Sequence, residues 1–178
     1  MGIKFPVALA LSALLVFPAA AQPVKVLKGS EITESAVVEG LSPEEGVRMR
    51  SFKVKREGSD PDEGAPSVSM LITFQTNSAS LTHEASQSLN AVGQALSTDK
   101  LAKYSFRIEG HADPRGGSDL NQRLSQARAE TVREYLVQNK GIDGDRLMAI
   151  GKGDRELLDK EHPAAPENRR VTIVTIPK

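Results

Sequence analysis

From residue 68 onward, the chain alternates between two kinds of hydrophobic pattern. Residues 68–74 form a short, mostly apolar run, and residues 104–110 alternate apolar with polar side chains, as strands do. Residues 82–96 instead carry apolar side chains at every third or fourth position, which predicts an amphipathic helix. The chain therefore begins this part with a strand, a helix and a second strand.

A longer helix follows. Residues 119–139 predict a helix that begins at Ser118 or Asp119 and ends near Gly141. Two further strands are predicted at residues 146–150 and 170–176. The resulting order, βαβαββ, indicates an α/β (α+β) sandwich in which helices pack against a sheet.

The amino terminus has the pattern of a secretory signal peptide. Lys4 precedes an apolar run over residues 5–17, and the small residues Ala19, Ala20 and Ala21 follow it. The run is shorter than the roughly 20 apolar residues that a membrane-spanning helix needs. We therefore expect residues 1–21 to be a cleaved signal peptide that directs export to the periplasm.

Residues 22–57 have a less regular pattern. Short strands are conceivable at residues 24–27 and 51–55, but the apolar residues between them are too sparse to predict a helix. Those residues are Ile32, Val37, Val38 and Leu41. Residues 58–67 are rich in Gly, Pro and Asp, which predicts a linker before a domain at residues 68–178. We expect residues 22–57, whose role the pattern does not indicate, to be removable without unfolding that domain.

The composition excludes several kinds of functional site. There is no cysteine, which excludes disulfides, cysteine–zinc sites, a thiol nucleophile and a lipid-modified cysteine. Lys plus Arg and Asp plus Glu both number 23, so no charge excess favours nucleic acid as a partner. No spacing of His and acidic residues is typical of a metal site, and no cofactor is predicted.

One basic residue lies where the long helix should be apolar. On a helical wheel, Arg128 and Asn121 fall inside the apolar arc. That arc consists of Leu120, Leu124, Ala127, Thr131, Val132, Tyr135 and Leu136. Burying an unpaired charge is costly, so Arg128 requires an anion, either a carboxylate of the protein or one on a ligand.

The loop before this helix, residues 110–117, contains Asp113. Ligands of α/β folds commonly bind at such loops, which follow the carboxyl ends of strands. Together, Asp113 and Arg128 would suit a zwitterion, with its amine on the acid and its carboxylate on the guanidinium. An internal salt bridge that only orders the loop is the alternative. The adjacent Arg169 and Arg170 predict one side chain packed by its aliphatic stem and one surface charge.

Several short sequence motifs occur together in order. They are Ile72-Thr73-Phe74 with Asn77-Ser78-Ala79; Gly110-His111-Ala112-Asp113; Asn121, Leu124-Ser125 and Arg128-Ala129; Gly151-Lys152-Gly153; and Asn168-Arg169-Arg170-Val171. In these motifs residues 68–176 resemble the OmpA-like domain, the peptidoglycan-binding module of outer-membrane proteins and peptidoglycan-associated lipoproteins. The resemblance implies two main helices packed on a mixed four-stranded sheet.

The resemblance also implies a ligand, the diaminopimelate of peptidoglycan stem peptides. By this resemblance, Asp113 and Arg128 bind the diaminopimelate, and Asn121 lines the site. Secondary candidates are Phe74, Thr76, Asn77, Arg115 and Leu124. The further partners it suggests are outer-membrane or other envelope proteins; the oligomeric state is not predicted.

Three functions compete. The first is non-catalytic peptidoglycan binding that tethers the envelope to the wall. The second is a scaffold that keeps the fold without wall binding. The third is a peptidoglycan hydrolase, for which Ser125, His111 and Asp113 could suggest a triad, but no nucleophile elbow surrounds Ser125. We therefore predict no catalytic residue and no metal ligand, and expect His111 to be structural.

Overall fold

A computed structural model describes residues 25–43, 65–75 and 78–176. These residues form a five-stranded mixed sheet and three α-helices. The strands are β1 (Val26–Lys28), β2 (Ser67–Leu71), β3 (Ser105–His111), β4 (Leu147–Gly153) and β5 (Val171–Ile176). The helices are α1 (Glu34–Leu41), α2 (His83–Leu96) and α3 (Ser118–Lys140). The α/β class is confirmed, with one strand and one short helix more than expected.

The strand order is β1-β2-β5-β3-β4, so the last strand of the chain lies in the middle of the sheet. It pairs antiparallel with both β2 and β3, whereas β3 and β4 are parallel neighbours. A parallel pair needs a long crossover, which α3 provides between β3 and β4. Because β5 is central, the loop that leads into it ends beside the loop that follows β3.

The core lies between the helices and one face of the sheet. Phe106, Ile108 and Ile173 on the strands, and Leu89 and Val132 on the helices, are fully buried. Burying each such side chain contributes about 1.5–3 kcal/mol. Helix α2 begins at the predicted place, where the Thr82 hydroxyl accepts a hydrogen bond of 3.2 Å from the amide of Ala85. The predicted end of α3 is also confirmed, because Gly141 has the left-handed φ of 67°.

Helix α3 packs unusually close to the sheet. A Cβ atom on Gly110 would lie only 2.2 Å from the carbonyl oxygen of Ser125, and one on Gly151 would lie 2.5 Å from the amide nitrogen of Gln126. The Ser125 hydroxyl also accepts a hydrogen bond of 2.9 Å from the amide of Gly153. Glycines on the strands and a small residue on the helix thus bring the first half of α3 against the ends of β3 and β4.

The buried stripe of α3 differs from the predicted arc. It consists of Asn121, Ser125, Ala129, Val132 and Leu136. Leu120, which the helical wheel placed inside the arc, is 62% exposed. The prediction was wrong at this end of the helix because close approach to the sheet favours small side chains over leucines.

The amino-terminal segment is part of the same core. Residues 34–41 form α1, contrary to the expectation that their apolar residues were too sparse for a helix. A helix of two turns can be anchored to the core by a single pair of apolar residues at i and i+4. Val37 and Leu41 form this pair, and both are fully buried. The Thr33 hydroxyl caps the helix by accepting a hydrogen bond of 3.2 Å from Ala36.

Two further contacts join this segment to the sheet. Strand β1 pairs in parallel with β2, and the Thr175 hydroxyl donates a hydrogen bond of 2.7 Å to the carbonyl of Leu41. Residues 25–43 therefore share the core with the predicted domain, so we now expect removal of residues 22–57 to destabilise that domain. Strand β2 begins at Ser67, inside the predicted linker.

The predicted signal peptide, the possible strand at residues 51–55 and residues 58–64 of the linker lie outside the described residues. Among the helices that the structure describes, none is long and apolar enough to cross a bilayer.

Candidate functional site

A cavity of about 230 Å³ opens where the end of β2, the end of β3 and the start of β5 meet the first half of α3. It is lined by Leu71, Ile72, Thr73, Phe74, Gly110, His111, Arg128, Pro166, Arg169, Arg170 and Val171. Two sequence-predicted site residues, Phe74 and Arg128, contribute to its wall. Thr76 and Asn77 lie outside the described residues, so their places are not known.

Asp113 does not line the cavity; it lies in the loop between β3 and α3, with only 6% of its side chain exposed, and it bonds to Arg169, which does line the cavity. Its Oδ1 accepts a hydrogen bond of 3.0 Å from the backbone amide of Arg115. Its Oδ2 accepts bonds of 2.6 Å from Nη2 of Arg115 and 2.7 Å from Nη1 of Arg169. The hydrogen bonds from the Arg115 side chain, followed by that from Arg169, lower the pKa of Asp113 to about 2, against the effect of burial. The carboxylate is therefore ionised at neutral pH.

Arg128 lies on α3, where its side chain is half-buried. Its guanidinium stacks on the Phe74 ring, 4.9 Å from the ring centroid, and its Nε donates a hydrogen bond of 3.2 Å to the carbonyl of Ser78. Among the described residues, no carboxylate forms an ion pair with Arg128, and its Nη1 and Nη2 donate to no acceptor. Burial and the nearby charge of Arg169 lower the pKa of Arg128, while Asp113 acts in the opposite direction.

Asp113 and Arg128 are therefore close enough to affect each other electrostatically but are not bonded. The internal salt bridge that the sequence left open as an alternative does not form. Asp113 pairs with Arg115 and Arg169 instead, and the terminal nitrogens of Arg128 are left for another acceptor. A half-buried cation in this state is unusual because its desolvation is only partly offset.

Asn121 supports the loop from behind. It is 4% exposed, and its Nδ2 donates to the carbonyl of Asp113 at 3.0 Å and to Oδ2 of Asp154 at 3.1 Å. Its amide nitrogen is thus used to hold Asp113 in place, which is a positioning role different from the expected lining role. Leu124 is half-buried on α3 and does not line the cavity.

Arg169 was not among the site residues that the sequence predicted. It was expected to be a stem-packed or surface side chain, yet it bonds to Asp113 and lines the cavity. The neighbouring Asn168 holds the loop that precedes Arg169. Its Oδ1 accepts hydrogen bonds from the amides of Leu158 and Asp159, and its Nδ2 donates to three carbonyls. Those carbonyls belong to Asp159, His162 and Pro163. The only sequence signal was the position of Arg169 in the Asn168-Arg169-Arg170-Val171 motif.

His111 is buried, and within the described part of the chain neither ring nitrogen has a hydrogen-bond partner. Burial, together with the charges of Arg170 and Lys152, lowers its pKa to about 3, so the ring is neutral at physiological pH. His111, Glu109 and Glu156 have ligand atoms within 4.8 Å of one another, a geometry that could hold a metal ion.

Both carboxylates of that group are already paired. Glu109 bonds to Arg107 at 2.7 Å, and Lys152 lies 3.4 Å from Glu109 and 2.8 Å from Glu156. Arg170 adds a further positive charge beside His111. Three neighbouring cations disfavour the binding of another cation here.

The possible catalytic triad is not assembled. The Ser125 hydroxyl is fully buried, donates to the carbonyl of Gln122 at 3.0 Å and accepts from Gly153. In the described part of the chain, no hydrogen bond joins Ser125 to His111. The arrangement instead places guanidinium groups around a small cavity and an ionised carboxylate behind one of them, Arg169, which suits recognition of a charged ligand.

The fold and this cavity define a layered α/β domain with a small cavity bordered by guanidinium groups. Residues 73–170 match the model of the OmpA family. The chain belongs to the OmpA family, as the sequence motifs indicated.

Relatives of known identity agree with this assignment. The chain is similar to a peptidoglycan-associated lipoprotein from Rhizobium meliloti, with 36% identity over 58% of each chain. The structure is similar to the peptidoglycan-associated lipoprotein of Burkholderia pseudomallei, with a TM-score of 0.50, 27% identity, and coverage of 61% of this chain and 89% of that one.

It is also similar to the cell wall anchor of the type VI secretion system from Pseudomonas aeruginosa, with a TM-score of 0.51 and 31% identity. That match covers 63% of this chain and 81% of the other. The chain spans about half the length of the curated relatives it matches.

Proposed function

We propose that this protein binds peptidoglycan without catalysing a reaction and so tethers the cell envelope to the wall. The observation that carries the proposal is Arg128. Its guanidinium carbon lies over the Phe74 ring, 4.9 Å from the centroid, and the group has no carboxylate partner among the described residues, while an ionised Asp113 lies nearby. The names of its relatives, peptidoglycan-associated lipoproteins and a cell wall anchor, support the same function.

The proposed ligand group is diaminopimelate in a stem peptide. Its free carboxylate would accept hydrogen bonds from the terminal nitrogens of Arg128, which have no acceptor among the described residues. Its ammonium group would pair with Asp113, and Phe74 would cover its methylene chain. Thr76 and Asn77 are proposed to add contacts at the same edge. A charge-assisted, two-bond contact to a carboxylate is among the stronger polar contacts that proteins make.

We further propose that the chain acts in the periplasm, in association with the outer membrane. The support is the signal-peptide pattern of residues 1–21 and the envelope location that the relatives' names indicate. The exported protein should begin at Gln22, and amino-terminal sequencing of the mature protein tests this. Retention of residues 1–21 in the mature protein would contradict it.

The binding proposal is tested with purified sacculi. Arg128→Ala should weaken sacculus binding, because removing one partner of a desolvated charge pair typically costs about 2–5 kcal/mol. At about 1.4 kcal/mol per tenfold change, this is a loss of tens- to thousands-fold. Arg128→Lys keeps the charge but lacks the planar pair of donors, so it should recover only part of the affinity.

Arg123→Ala is the matched control, because it removes an exposed arginine from the same helix. Melting temperatures of all variants must be measured alongside binding. If Arg128→Ala melted early yet bound sacculi normally, Arg128 would be structural and the binding proposal would be wrong. If the wild-type protein left sacculi unbound, the scaffold alternative would hold, and release of muropeptides into solution would instead indicate a hydrolase.

A further inference from the structure

The Asp113 carboxylate has no acceptor position left for a ligand. Oδ1 accepts bonds from the backbone amide of Arg115 at 3.0 Å and from its Nε at 3.1 Å. Oδ2 accepts bonds from Nε and Nη2 of Arg115 and from Nη1 of Arg169. An ionised carboxylate offers about four lone-pair positions, and these five contacts occupy them. An ammonium group can therefore reach Asp113 only if one of the present donors leaves.

Arg115 is the donor that can leave at the lower cost. Its side chain is 65% exposed, whereas that of Arg169 is 38% exposed and also donates to the carbonyl of Ala164. Arg115 lies only two positions beyond Asp113 in an exposed loop. Because the Arg115 guanidinium is itself largely exposed, water can solvate it once it is released, which limits the cost of breaking its pair with Asp113. Its backbone amide can keep its bond to Oδ1 after the side chain has moved.

We propose that the Arg115 side chain is an internal counter-ion that occupies the place of the ligand's ammonium group on Asp113 and is displaced when the ligand binds. This inference rests on the proposed function. In the free protein, Arg115 pairs with the nearly buried carboxylate of Asp113. It lowers the affinity for the ligand, because each binding event must first break this pair. The same residue therefore stabilises the free protein and makes wall binding readily reversible.

The inference predicts opposite effects on stability and binding. Arg115→Ala should lower the melting temperature of the free protein, since Asp113 loses most of its hydrogen bonds. The same variant should bind the ligand more tightly, by about fivefold, which corresponds to the upper end of the range for exposed ion pairs and suits a pair with one exposed partner. Linkage requires that ligand then raises the melting temperature of Arg115→Ala more than that of the wild type.

The probe is the disaccharide tripeptide that carries diaminopimelate, prepared from sacculi, together with the same compound acetylated on the free amine. Calorimetric titration should show tighter binding of the free-amine probe by Arg115→Ala than by the wild type. The acetylated probe has no ammonium group, so the substitution should not tighten its binding. Arg123→Ala, which removes the same charge from an exposed position, should bind both probes as the wild type does.

Equal or weaker binding of the free-amine probe by Arg115→Ala would overturn the inference, because Arg115 would then be neutral or a direct ligand contact. In that case a wild-type protein that still binds the probe leaves the proposed function intact. Failure of the wild type to bind either probe would instead overturn both.

Nuclear magnetic resonance of the wild-type protein gives a second readout that does not depend on the folding of a variant. The Nε proton of Arg115 is hydrogen-bonded in the free protein, and its signal is assigned by its loss in Arg115→Lys. Adding the free-amine probe should increase its exchange with water. An unchanged exchange rate at saturating probe would also overturn the inference.

Discussion

The contact between Gly110 and α3 allows a prediction with a calculable magnitude. A Cβ atom at position 110 would lie 2.2 Å from the Ser125 carbonyl oxygen, about 1.2 Å inside the normal contact limit of 3.4 Å. Both groups are backbone or attached to it, so neither can rotate away. Gly110→Ala must therefore push α3 and β3 apart, and overpacking of this kind typically costs about 1–3 kcal/mol.

The displacement would act on the binding site as well as on stability. Arg128 lies one turn beyond Ser125, so the helix would carry its guanidinium away from Phe74 and from Asp113. We expect a melting temperature lower by roughly 2–12 °C, because about 1 kcal/mol corresponds to 2–4 °C in a protein of this size. Sacculus binding should fall at temperatures where the variant is still folded.

Gly117→Ala is the matched control, since a Cβ atom there would meet nothing within 4 Å. Gly117 caps α3, where Ala is less favourable than Gly, so the control should lose about 1 kcal/mol at most, without moving the helix. Scanning calorimetry and sacculus pull-down on the two variants give the comparison. A Gly110→Ala protein that melts with the wild type would refute the claim that the close helix–sheet contact positions Arg128.

Three further predictions follow from particular contacts. Leu41→Ala should lower the free energy of unfolding, measured by chemical denaturation, by about 2–5 kcal/mol, because the side chain is fully buried. Val38→Ala, at a half-buried position of the same helix, should lower it by less. Equal small effects of the two substitutions would show that α1 is peripheral. Asn168→Asp keeps the hydrogen bonds that Oδ1 accepts but loses the three that Nδ2 donates to the loop before it. The loop should then open more often, and trypsin should cleave faster after the exposed Lys160. An unchanged cleavage rate would contradict this. The pKa of Asp113 is lowered from 3.8 to about 2, so its stabilising effect is full above pH 4 and is lost as the pH falls toward 2. The difference in melting temperature between the wild type and Asp113→Asn should shrink over that interval, and a constant difference would exclude the assigned cause.

The amino-acid sequence alone determined most of the kinds of elements and singled out the charged residues of the candidate site. Hydrophobic periodicity located α2 and α3 to within a residue or two, because an amphipathic face is a local property of the chain. The sequence also indicated the family, which the match over residues 73–170 confirms. Asp113 and Arg128 stood out because charge in a strand-to-helix loop and on a helix face is readable without knowing the fold.

Only the tertiary structure decided which partners these residues have. Arg169 lies 56 positions from Asp113 and meets it because β5 inserts beside β3, an order that local patterns do not encode. The buried stripe of α3 depended on glycines in the strands it faces, so the helix alone could not reveal that Leu120 is exposed. Helix α1 escaped prediction because two turns carry little periodicity, and contacts with α2 and the sheet stabilise so short a helix. Local patterns are set by neighbours in the chain, whereas pairing and burial are set by surfaces that meet only after folding.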